Sequence, residues 1–555
     1  MSREGPPRSG SPYRGGGPSA PAAPRERDGI VDELIRQFAD PLAFYRELVQ
    51  NAIDAGSSQI SVTLGWEPEP SSGEAGLARI SVRDDGCGMG RRVLEEQLTV
   101  LFRSGKEGQS DKIGKFGVGF VSVLAIEPAQ VLVRSSEGDG TEWTLVLAPD
   151  QTYDLFQAEG GAHPGTTVTL EVPCPKGNFV SLVQGSEGAL VRWCRHAQIP
   201  IRFVASFGGG EALREARIDR PIGTGGLVEV RRTRGATTVA AGLAADASSY
   251  VAFFNRGLLL YETDQPLLGR AHVTVHDPSL EHTLSRDNVR RDAHFENAMR
   301  VARDAVEIDL TAAVKAALDR AIGDPSAFVP LLRAANDADL SLIWRDVTLP
   351  ILEVDGARAR TVHALRSGRV YAGRADDPVA RAAAEARMVV LDLTGFDDPA
   401  AYLETLQAIL SVTPPDVRSE LSLLTPVPHE GIDHVLAEGV ADALEACVRR
   451  PSRVAFARLE GALEASLSVA ADPGASPEII RTDEARADPL RRFMRPGLVL
   501  NTLHPICVAA RAAAEERPEL AAAILARAVL LTRGRLGPTE DERWIAFAQR
   551  SPELG

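Results

Sequence analysis

The feature that most constrains this chain is an apolar helical pattern that carries three polar side chains at regular intervals. Between Arg46 and Gly56, Glu47, Asn51 and Asp54 occupy positions i, i+4 and i+7, so a helix places all three on one face. Apolar residues repeat that spacing one position further on, at Leu48, Ala52 and Ala55. The pattern predicts a helix that packs on its apolar stripe. Its acidic and amide stripe then faces either a polar ligand or, in the simplest case, solvent.

Length and composition exclude several protein classes. A chain of 555 residues exceeds one hydrophobic core and predicts two to four domains. It contains no apolar run of the roughly 18 residues that a membrane helix needs, and its N-terminus lacks the apolar core of a signal peptide. A net charge of −15 disfavours nucleic acid as the main partner. The five cysteines lack metal-ligand spacing, which indicates a reduced, cytoplasmic protein with free thiols.

The chain reads as an α+β multidomain protein with four regions. Residues 1–27 are rich in Gly, Pro, Ser and Arg and are predicted to be a disordered tail. Residues 28–205 combine a helical pattern with alternating strands, which favours a two-layer α/β sandwich. Residues 206–413 begin strand-rich, continue helical and end with a small α/β unit. Residues 414–555 carry Ala and Leu at helical spacing and are predicted to be mostly helical.

Two alternating segments predict the first strands of the sandwich. Gln59–Leu64 and Arg79–Asp84 alternate apolar and polar residues, and a loop from Glu67 to Gly76 is expected between them. Further strands are expected at 130–134, 141–147 and 166–172. The helix followed by these strands gives the sandwich a mostly antiparallel sheet.

A carboxylate stands at the end of the second strand, immediately before a pair of glycines. Strand periodicity places Asp84 on the packed side with Ile80 and Val82, where a carboxylate requires a hydrogen-bond donor. Gly86 and Gly88 remove side chains at a point where a flat ligand can approach the backbone. An adenine amino group suits both features, although an Asp-Gly turn that closes a strand explains the same residues.

A glycine-rich segment precedes a second helical run. In Gly114–Phe120 the glycines open the run Val121–Ile126, and backbone N–H groups at such a helix start can bind phosphate oxygens. The chain lacks a Gly-x-x-x-x-Gly-Lys-Ser/Thr phosphate loop and a dinucleotide fingerprint. Residues 101–108, flanked by glycines, are expected to close over a bound nucleotide as a lid.

These motifs, in this order, resemble those of the GHKL ATPases, which comprise gyrase, the ninety-kilodalton heat-shock chaperones, histidine kinases and MutL. The matching strings are Glu47-x-x-x-Asn51, Asp84-x-Gly86-x-Gly88, Gly114-x-x-Gly117-x-Gly119 and Gly165-Thr166. The resemblance implies a Bergerat-type α/β sandwich that binds ATP and Mg²⁺. The water-activating Glu, together with the lack of a recognisable phosphoacceptor His region, argues against a histidine kinase.

The resemblance also implies residue roles. Glu47 would orient and deprotonate the attacking water, and Asn51 would ligate Mg²⁺. Asp84 would accept a hydrogen bond from the adenine amino group, with Thr166 supporting it through a water. The other residues implied to contact the nucleotide are Asp54, Gly88, Met89, Arg103, Gly114, Lys115, Gly117, Val118, Gly119 and Phe120.

Strings outside the first region resemble the heat-shock chaperones of the HtpG type. Asp277–Val289 looks like the chaperone string whose arginine, here Arg286, would reach the γ-phosphate as a second catalytic residue. The resemblance implies a middle domain of ribosomal-protein-S5-like α/β type and a C-terminal dimerisation domain, where Leu498–Pro505 resembles a strand and a His-Pro helix start. The implied function is a cytoplasmic, ATP-dependent chaperone that acts as a homodimeric clamp on unfolded or partly folded clients, as in protein folding and the stress response, without a membrane partner.

Two alternatives remain open at this stage. The string Asn51–Gly56 reads more like MutL or MORC proteins, which are ATP-gated clamps on DNA. The chain also differs from typical HtpG proteins, with Lys115 where those chaperones usually carry glutamine and a diverged, alanine-rich C-terminal part. A nucleotide-binding module with weak turnover is therefore the third reading.

Overall fold

The computed structural model describes residues 40–69, 72–98, 119–150, 152–159, 163–208, 210, 212–283, 288–338, 340, 344–354, 356–428, 430–485 and 497–550. Several predicted features lie outside these ranges. They are the tail at residues 1–27, the lid at 101–108, the glycines Gly114 and Gly117 of the glycine-rich segment, and the catalytic Arg286. Two compact units are formed. The first contains the chain up to Ile222 together with Phe254–Tyr261 and Pro278–Val289, and the second contains the rest.

An eight-stranded sheet and the helices packed on it make up most of the first unit. The helices are α1 (Phe44–Asp54), α2 (Arg91–Val93) and α3 (Lys176–Cys194), with further helical segments at Leu94–Leu98 and Phe120–Ile126. The strands are β1 (Ile60–Glu69), β2 (Ser72–Asp84), β3 (Gln130–Ser136), β4 (Thr141–Leu147), β5 (Tyr153–Glu159), β6 (Gly165–Pro173), β7 (Ile201–Phe207) and β8 (Ala212–Arg217). Their order is β5-β4-β3-β6-β2-β1-β7-β8. Every pairing is antiparallel except β1 with β7.

The core of this unit lies between one face of the sheet and the helices. In β1, Ile60, Val62 and Leu64 are buried while Thr63 between them is exposed, as alternation in a half-buried strand requires. The apolar stripe of α1 and the inward residues of α3, such as Phe179, belong to the same cluster. Full burial of each large apolar side chain contributes about 1.5–3 kcal/mol. The predicted two-layer sandwich is confirmed.

Two details of this sheet differ from the sequence expectations. The loop expected from Glu67 to Gly76 is wrong, because β1 and β2 continue through it as a hairpin, with Pro68 opposite Gly76. Gly76 permits this extension because a Cβ there would lie 2.6 Å from the Trp66 ring. Strand β5 was not expected from the sequence. It pairs with β4 alone at the sheet edge.

Residues 223–410 form two further sheets with helices between them. The first sheet contains β9 (Val228–Arg234), β10 (Thr237–Leu243), β11 (Tyr250–Asn255), β12 (Leu258–Thr263) and β13 (His272–His276), in the order β12-β11-β13-β10-β9. The helices α4 (Ala293–Asp304), α5 (Thr311–Ala321) and α6 (Pro325–Asp337) follow. The second sheet contains β14 (Thr348–Val354), β15 (Ala357–Thr361), β16 (Val370–Gly373) and β17 (Val389–Asp392), with α7 (Val362–Arg366), α8 (Pro378–Glu385) and α9 (Pro399–Leu410). Strands β16 and β17 are parallel and joined through α8, so the small α/β unit expected here is confirmed.

Aspartates begin four of these helices. The carboxylates of Asp292, Asp324, Asp377 and Asp398 accept hydrogen bonds from backbone N–H groups in the first turns of α4, α6, α8 and α9. Such caps satisfy donors that have no partner within the helix. Proline follows three of the four aspartates directly, a position where its missing N–H carries no cost.

The region beyond Pro414 corrects the expectation of a mostly helical domain. It contains a five-stranded sheet of β18 (Leu421–Pro426), β19 (Val454–Gly461), β20 (Ser468–Ala470), β21 (Glu478–Arg481) and β22 (Leu498–Asn501). Its helices are α10 (Val417–Glu420), α11 (Ile432–Cys447), α12 (Thr482–Ala485), α13 (Pro505–Ala513), α14 (Pro518–Thr532) and α15 (Pro538–Ala548). Strands β18, β20 and β22 are buried along most of their length, so they lack the alternation that marks a half-exposed strand.

The strand and His-Pro helix start expected at Leu498–Pro505 are present as β22 and α13. Asn501 is fully buried, and its amide donates to the carbonyls of Glu464 and Ser466 at 2.8 and 3.2 Å. His504 accepts a hydrogen bond from the Ile506 N–H at 3.2 Å and so caps α13. Both side chains have structural partners.

The described residues include all five cysteines. All five cysteines are unpaired; Cys87 is exposed and the other four are buried. Burial raises the pKa of Cys507 to about 12, so this thiol stays protonated near neutral pH. Among the described residues, no helix has both the length and the apolar character needed to cross a membrane.

Candidate nucleotide site

Helix α1 presents the predicted polar stripe. Asn51 and Asp54 are exposed and Glu47 is half-buried, whereas Leu48 and Ala52 pack in the core. The amide of Gln50 donates to Asp54 at 3.0 Å. The helix therefore packs on one stripe, as the spacing predicts, and leaves Asn51 and Asp54 of the polar stripe exposed.

The carboxylate of Glu47 is held by the residue before it. The guanidinium of Arg46 donates to Glu47 Oε1 at 2.8 Å, and the two side chains are only 9% and 13% exposed. Arg46 lies over the ring of Trp193 in α3, 5.1 Å from its centroid, within the range of a cation–π contact. Because α1 and α3 both contribute to the same hydrophobic core, this stack fixes the position of the Glu47 carboxylate.

Asp84 has the donors that its position demands. At the end of β2, its Oδ1 accepts hydrogen bonds from the Gly86 N–H at 2.9 Å and from the Ser57 hydroxyl at 3.3 Å. Burial raises the pKa of the Asp84 carboxyl, although these hydrogen bonds and one from the Thr166 backbone oppose the shift. Asp84 is thus a half-buried acceptor of the kind predicted for adenine.

The neighbouring Asp85 connects the segment after α1 with the end of β2 through hydrogen bonds. The sequence did not predict this role of Asp85. Its carboxylate accepts from the Ser58 N–H at 2.7 Å, the Ser58 hydroxyl at 2.5 Å and the Gln59 N–H at 3.1 Å. The Ser58 hydroxyl is the main reason that the pKa of Asp85 is lowered. Together with the contact between Ser57 and Asp84, these bonds set the polar stripe of α1 beside the carboxylate of β2.

A second missed residue joins the other predicted positions. Ser135 is 1% exposed, and its hydroxyl lies 2.8 Å from the Thr166 hydroxyl. The Met89 N–H donates to the same Ser135 oxygen at 2.8 Å. Sheet register places Thr166 directly opposite both Asp84 and Ser135. The structure therefore brings Asp84, Met89 and Thr166 together through β2, β6 and β3.

The glycines after Asp84 allow close backbone packing. Gly88 has φ +71°, and a Cβ there would lie 1.8 Å from the Ser136 carbonyl oxygen. A Cβ on Gly86 would lie 2.7 Å from the Cβ of Ala55. The sequence predicts that these glycines make room for a ligand, and the contacts with β3 and the end of α1 also require them.

Replacing Gly88 with alanine is expected to destabilise the protein by about 2–4 kcal/mol, because the new Cβ overlaps a carbonyl and the backbone is left-handed. Urea unfolding measures this change. Gly140→Ala is the matched control: its φ is +89° but no atom lies within 4 Å of the added Cβ, so it is expected to lose only about 1 kcal/mol. Equal losses for the two variants would contradict the packing role of Gly88.

The remaining predicted site residues divide into two groups. Gly119 and Phe120 are among the described residues. Phe120 is 4% exposed and packs in the core, so only its backbone can face a ligand. The Ser122 hydroxyl donates to the Gly119 carbonyl at 2.6 Å. The others are Arg103, Gly114, Lys115, Gly117, Val118 and Arg286, and they lie outside the described residues.

The chain is similar to known ATPases in the region that holds these residues. A family described as histidine kinase-, DNA gyrase B-, and HSP90-like ATPase matches residues 45–153. "Chaperone protein HtpG" of Anaplasma marginale is 28% identical over 190 residues, 31% of this chain and 30% of that protein. "Chaperone protein HtpG" of Porphyromonas gingivalis is 29% identical over 185 residues, 30% of this chain and 26% of that protein.

The match thus covers less than a third of the length of either relative. A solved structure described as the N terminal domain of a DNA repair protein overlaps 50% of this chain and 96% of its own, with 12% identity and a TM-score of 0.33, which is too low to identify a shared fold. The GHKL recognition made from the motif order is confirmed: residues 45–153 of this chain form a histidine kinase-, DNA gyrase B- and HSP90-like ATPase domain.

Proposed function

We propose that this protein is an ATP-hydrolysing molecular chaperone of the heat-shock protein 90 type. The observation that carries the proposal is that Asp84, a half-buried acceptor at the end of β2, occurs together with Glu47 and the exposed Asn51 on one stripe of α1. Asp85 and the serines after α1 hold these two elements in register. One element can thus bind a base while the other faces the phosphates.

The residues around Asp84 fit an adenine. A half-buried carboxylate that already accepts two hydrogen bonds on Oδ1 favours a ligand that supplies a further donor, and the amino group of adenine is such a donor. Thr166 stands opposite in the sheet register and is linked to Met89 through Ser135. Asp84, Thr166 and Met89 are therefore the proposed adenine-binding residues.

The polar stripe of α1 fits a magnesium nucleotide. Asn51 is exposed, and its amide oxygen is a hard ligand of the kind that Mg²⁺ prefers. When bound, Mg²⁺ neutralises charge on the phosphate oxygens.

Glu47 is the proposed general base. Its carboxylate can accept a proton from a water. The hydrogen bond from Arg46 to Oε1 fixes the position of this carboxylate. The proposed roles of Asp54, Gly88, Arg103, Lys115 and Arg286 rest on the family resemblance alone. Turnover is expected to be slow, because heat-shock proteins of this type complete their site through domain movement.

The chaperone role and the dimer are part of the same proposal. The relatives named above are chaperones, and the net charge of −15 disfavours a DNA clamp. In the C-terminal region, Ile524 and Leu531 of α14 and Ile545 of α15 are large apolar side chains that are 43–58% exposed. These residues are the proposed seam of a homodimer. Cytoplasmic location is expected with this function.

Aggregation of a chemically denatured client protein tests the proposal. The purified full chain with ATP is expected to suppress light scattering, and Glu47→Gln is expected to lose the ATP-dependent part. Fluorescence anisotropy with duplex DNA at low and high salt serves as the counter-test. Tight, salt-sensitive DNA binding without client protection would favour the MutL- or MORC-like clamp instead.

A further inference from the structure

The turn between β11 and β12 carries an arginine where arginine is rarely found. Arg256 and Gly257 both have left-handed backbones, with φ +48° and +83°, the combination found in two-residue hairpin turns that favour Asn-Gly. Arginine adopts this left-handed conformation less readily than asparagine, whose short side chain tolerates it. A strained residue of this kind suggests that its side chain has a role beyond closing the turn.

The side chain of Arg256 reaches the end of the proposed ATP helix. Its Nη1 lies 2.6 Å from Asp54 Oδ1, and both side chains are 49% exposed. Asp54 is the third member of the polar stripe of α1. Both residues belong to the first compact unit. This ion pair therefore connects the turn with the helix that carries Glu47 and Asn51.

The residues on either side of Arg256 make two further contacts. A Cβ on Gly257 would lie 1.8 Å from the carbonyl oxygen of His196, so the turn packs tightly on the segment that follows α3. The amide of Asn255 donates to the carbonyls of Leu280 and Pro278 at 2.7 and 3.2 Å. Three consecutive residues thus hold three separate parts of one unit.

The segment that Asn255 contacts continues to Thr283. The N–H of Thr283 donates to the carbonyl of Asn288 at 2.9 Å. The turn of Asn255, Arg256 and Gly257 is therefore joined to Pro278 and Leu280 on one side and to Asp54 on the other.

We propose that Arg256 is a positioning residue for ATP hydrolysis. Its ion pair with Asp54 fixes the end of α1 relative to residues 278–283. The inference rests on the proposed ATPase function and adds to it a residue that the family resemblance did not indicate. An ion pair of this exposure changes an equilibrium by only about two- to fivefold, so Arg256 adjusts the geometry of a reaction and contributes little to folding.

Arg256→Asn separates positioning from turn structure. Asparagine favours the left-handed turn, so the unfolding temperature is expected to stay the same or rise. The kcat for ATP is expected to fall about two- to fivefold with the nucleotide Kd unchanged. Arg256→Lys keeps the charge and is expected to recover most of the loss.

Arg202→Asn is the matched control. Arg202 forms an ion pair with Glu215 at 2.8 Å on the same unit away from α1, so kcat is expected to be unchanged in this variant.

The outcomes also distinguish this inference from the proposed function. If Glu47→Gln abolishes turnover but Arg256→Asn has the wild-type kcat, the ATPase proposal stands and the role of Arg256 is wrong. If the wild-type protein does not hydrolyse ATP, the proposed function fails, and hydrogen exchange decides the positioning role. Amides from Leu280 to Thr283 are then expected to exchange about two- to fivefold faster in Arg256→Asn, and unchanged exchange would overturn it.

Discussion

A Glu47→Gln variant is expected to bind ATP with wild-type affinity and to hydrolyse it about 10²- to 10⁴-fold more slowly, the usual contribution of a general base. Glutamine cannot accept the proton of the attacking water. Its amide oxygen can still accept the hydrogen bond from Arg46 that is 2.8 Å long in the wild-type protein, so the fold is expected to be unchanged. Phosphate release and isothermal titration with ATP measure the two quantities separately.

A matched acid on another helix provides the control. Glu187 in α3 also pairs with an arginine, at 2.5 Å from Arg214, but it lies outside the polar stripe of α1. Glu187→Gln is expected to leave turnover unchanged. Unaltered hydrolysis in Glu47→Gln would exclude Glu47 as the base, and a loss of affinity would show that it binds nucleotide in the ground state.

An Asp84→Asn variant is expected to weaken ATP binding by about 10²-fold or more. The buried carboxylate is the proposed acceptor for adenine, and an amide in its place loses the charge and one acceptor oxygen. The contacts from Gly86 and Ser57 to Oδ1 can persist with asparagine. The loss is therefore expected in nucleotide affinity, measured by titration, and not in folding.

The sign of the stability change follows from the pKa of Asp84. Burial raises this pKa, so the folded protein binds the proton more tightly than the unfolded chain does. The contribution of Asp84 to stability is then fully present below its unfolded pKa and is lost as the pH rises through the raised folded pKa. At neutral pH, where the buried charge is costly, Asp84→Asn is expected to raise the unfolding temperature of the nucleotide-free protein.

Nucleotide affinity is expected to rise with pH, whereas the contribution of Asp84 to folding stability falls with pH. As the pH falls into the range of the raised Asp84 pKa, the carboxyl becomes neutral and the wild-type affinity for ATP falls. Asp84→Asn removes this dependence. A variant that unfolds at a lower temperature, or binds ATP as the wild type does, would contradict the assignment of Asp84.

Local periodicity was sufficient for the elements that shape the candidate site. The spacing of Glu47, Asn51 and Asp54 is a property of one helix, and the burial of Asp84 follows from alternation within one strand. The glycines after Asp84 were identified for the same reason. In each case the physical cause lies within a few residues of the motif.

The supporting residues could not be found in this way. Ser57 and Ser58 meet Asp84 and Asp85 across 27 positions of sequence, and Ser135 meets Thr166 across 31. Those contacts depend on sheet register, which a single serine does not reveal. The strands beyond Pro414 were missed for a related reason: a segment such as Leu421–Pro426 is buried on most of its length, and periodicity cannot distinguish it from a buried helix.

Phosphate release by the purified full chain, measured against ATP concentration with Asp84→Asn in parallel, tests the central claim most directly. The account predicts slow release that saturates with ATP in the wild-type protein and is lost in Asp84→Asn over the same concentrations. Wild-type protein that releases no phosphate, or a variant that releases it equally well, would contradict the claim that the site built from α1 and β2 binds and hydrolyses ATP.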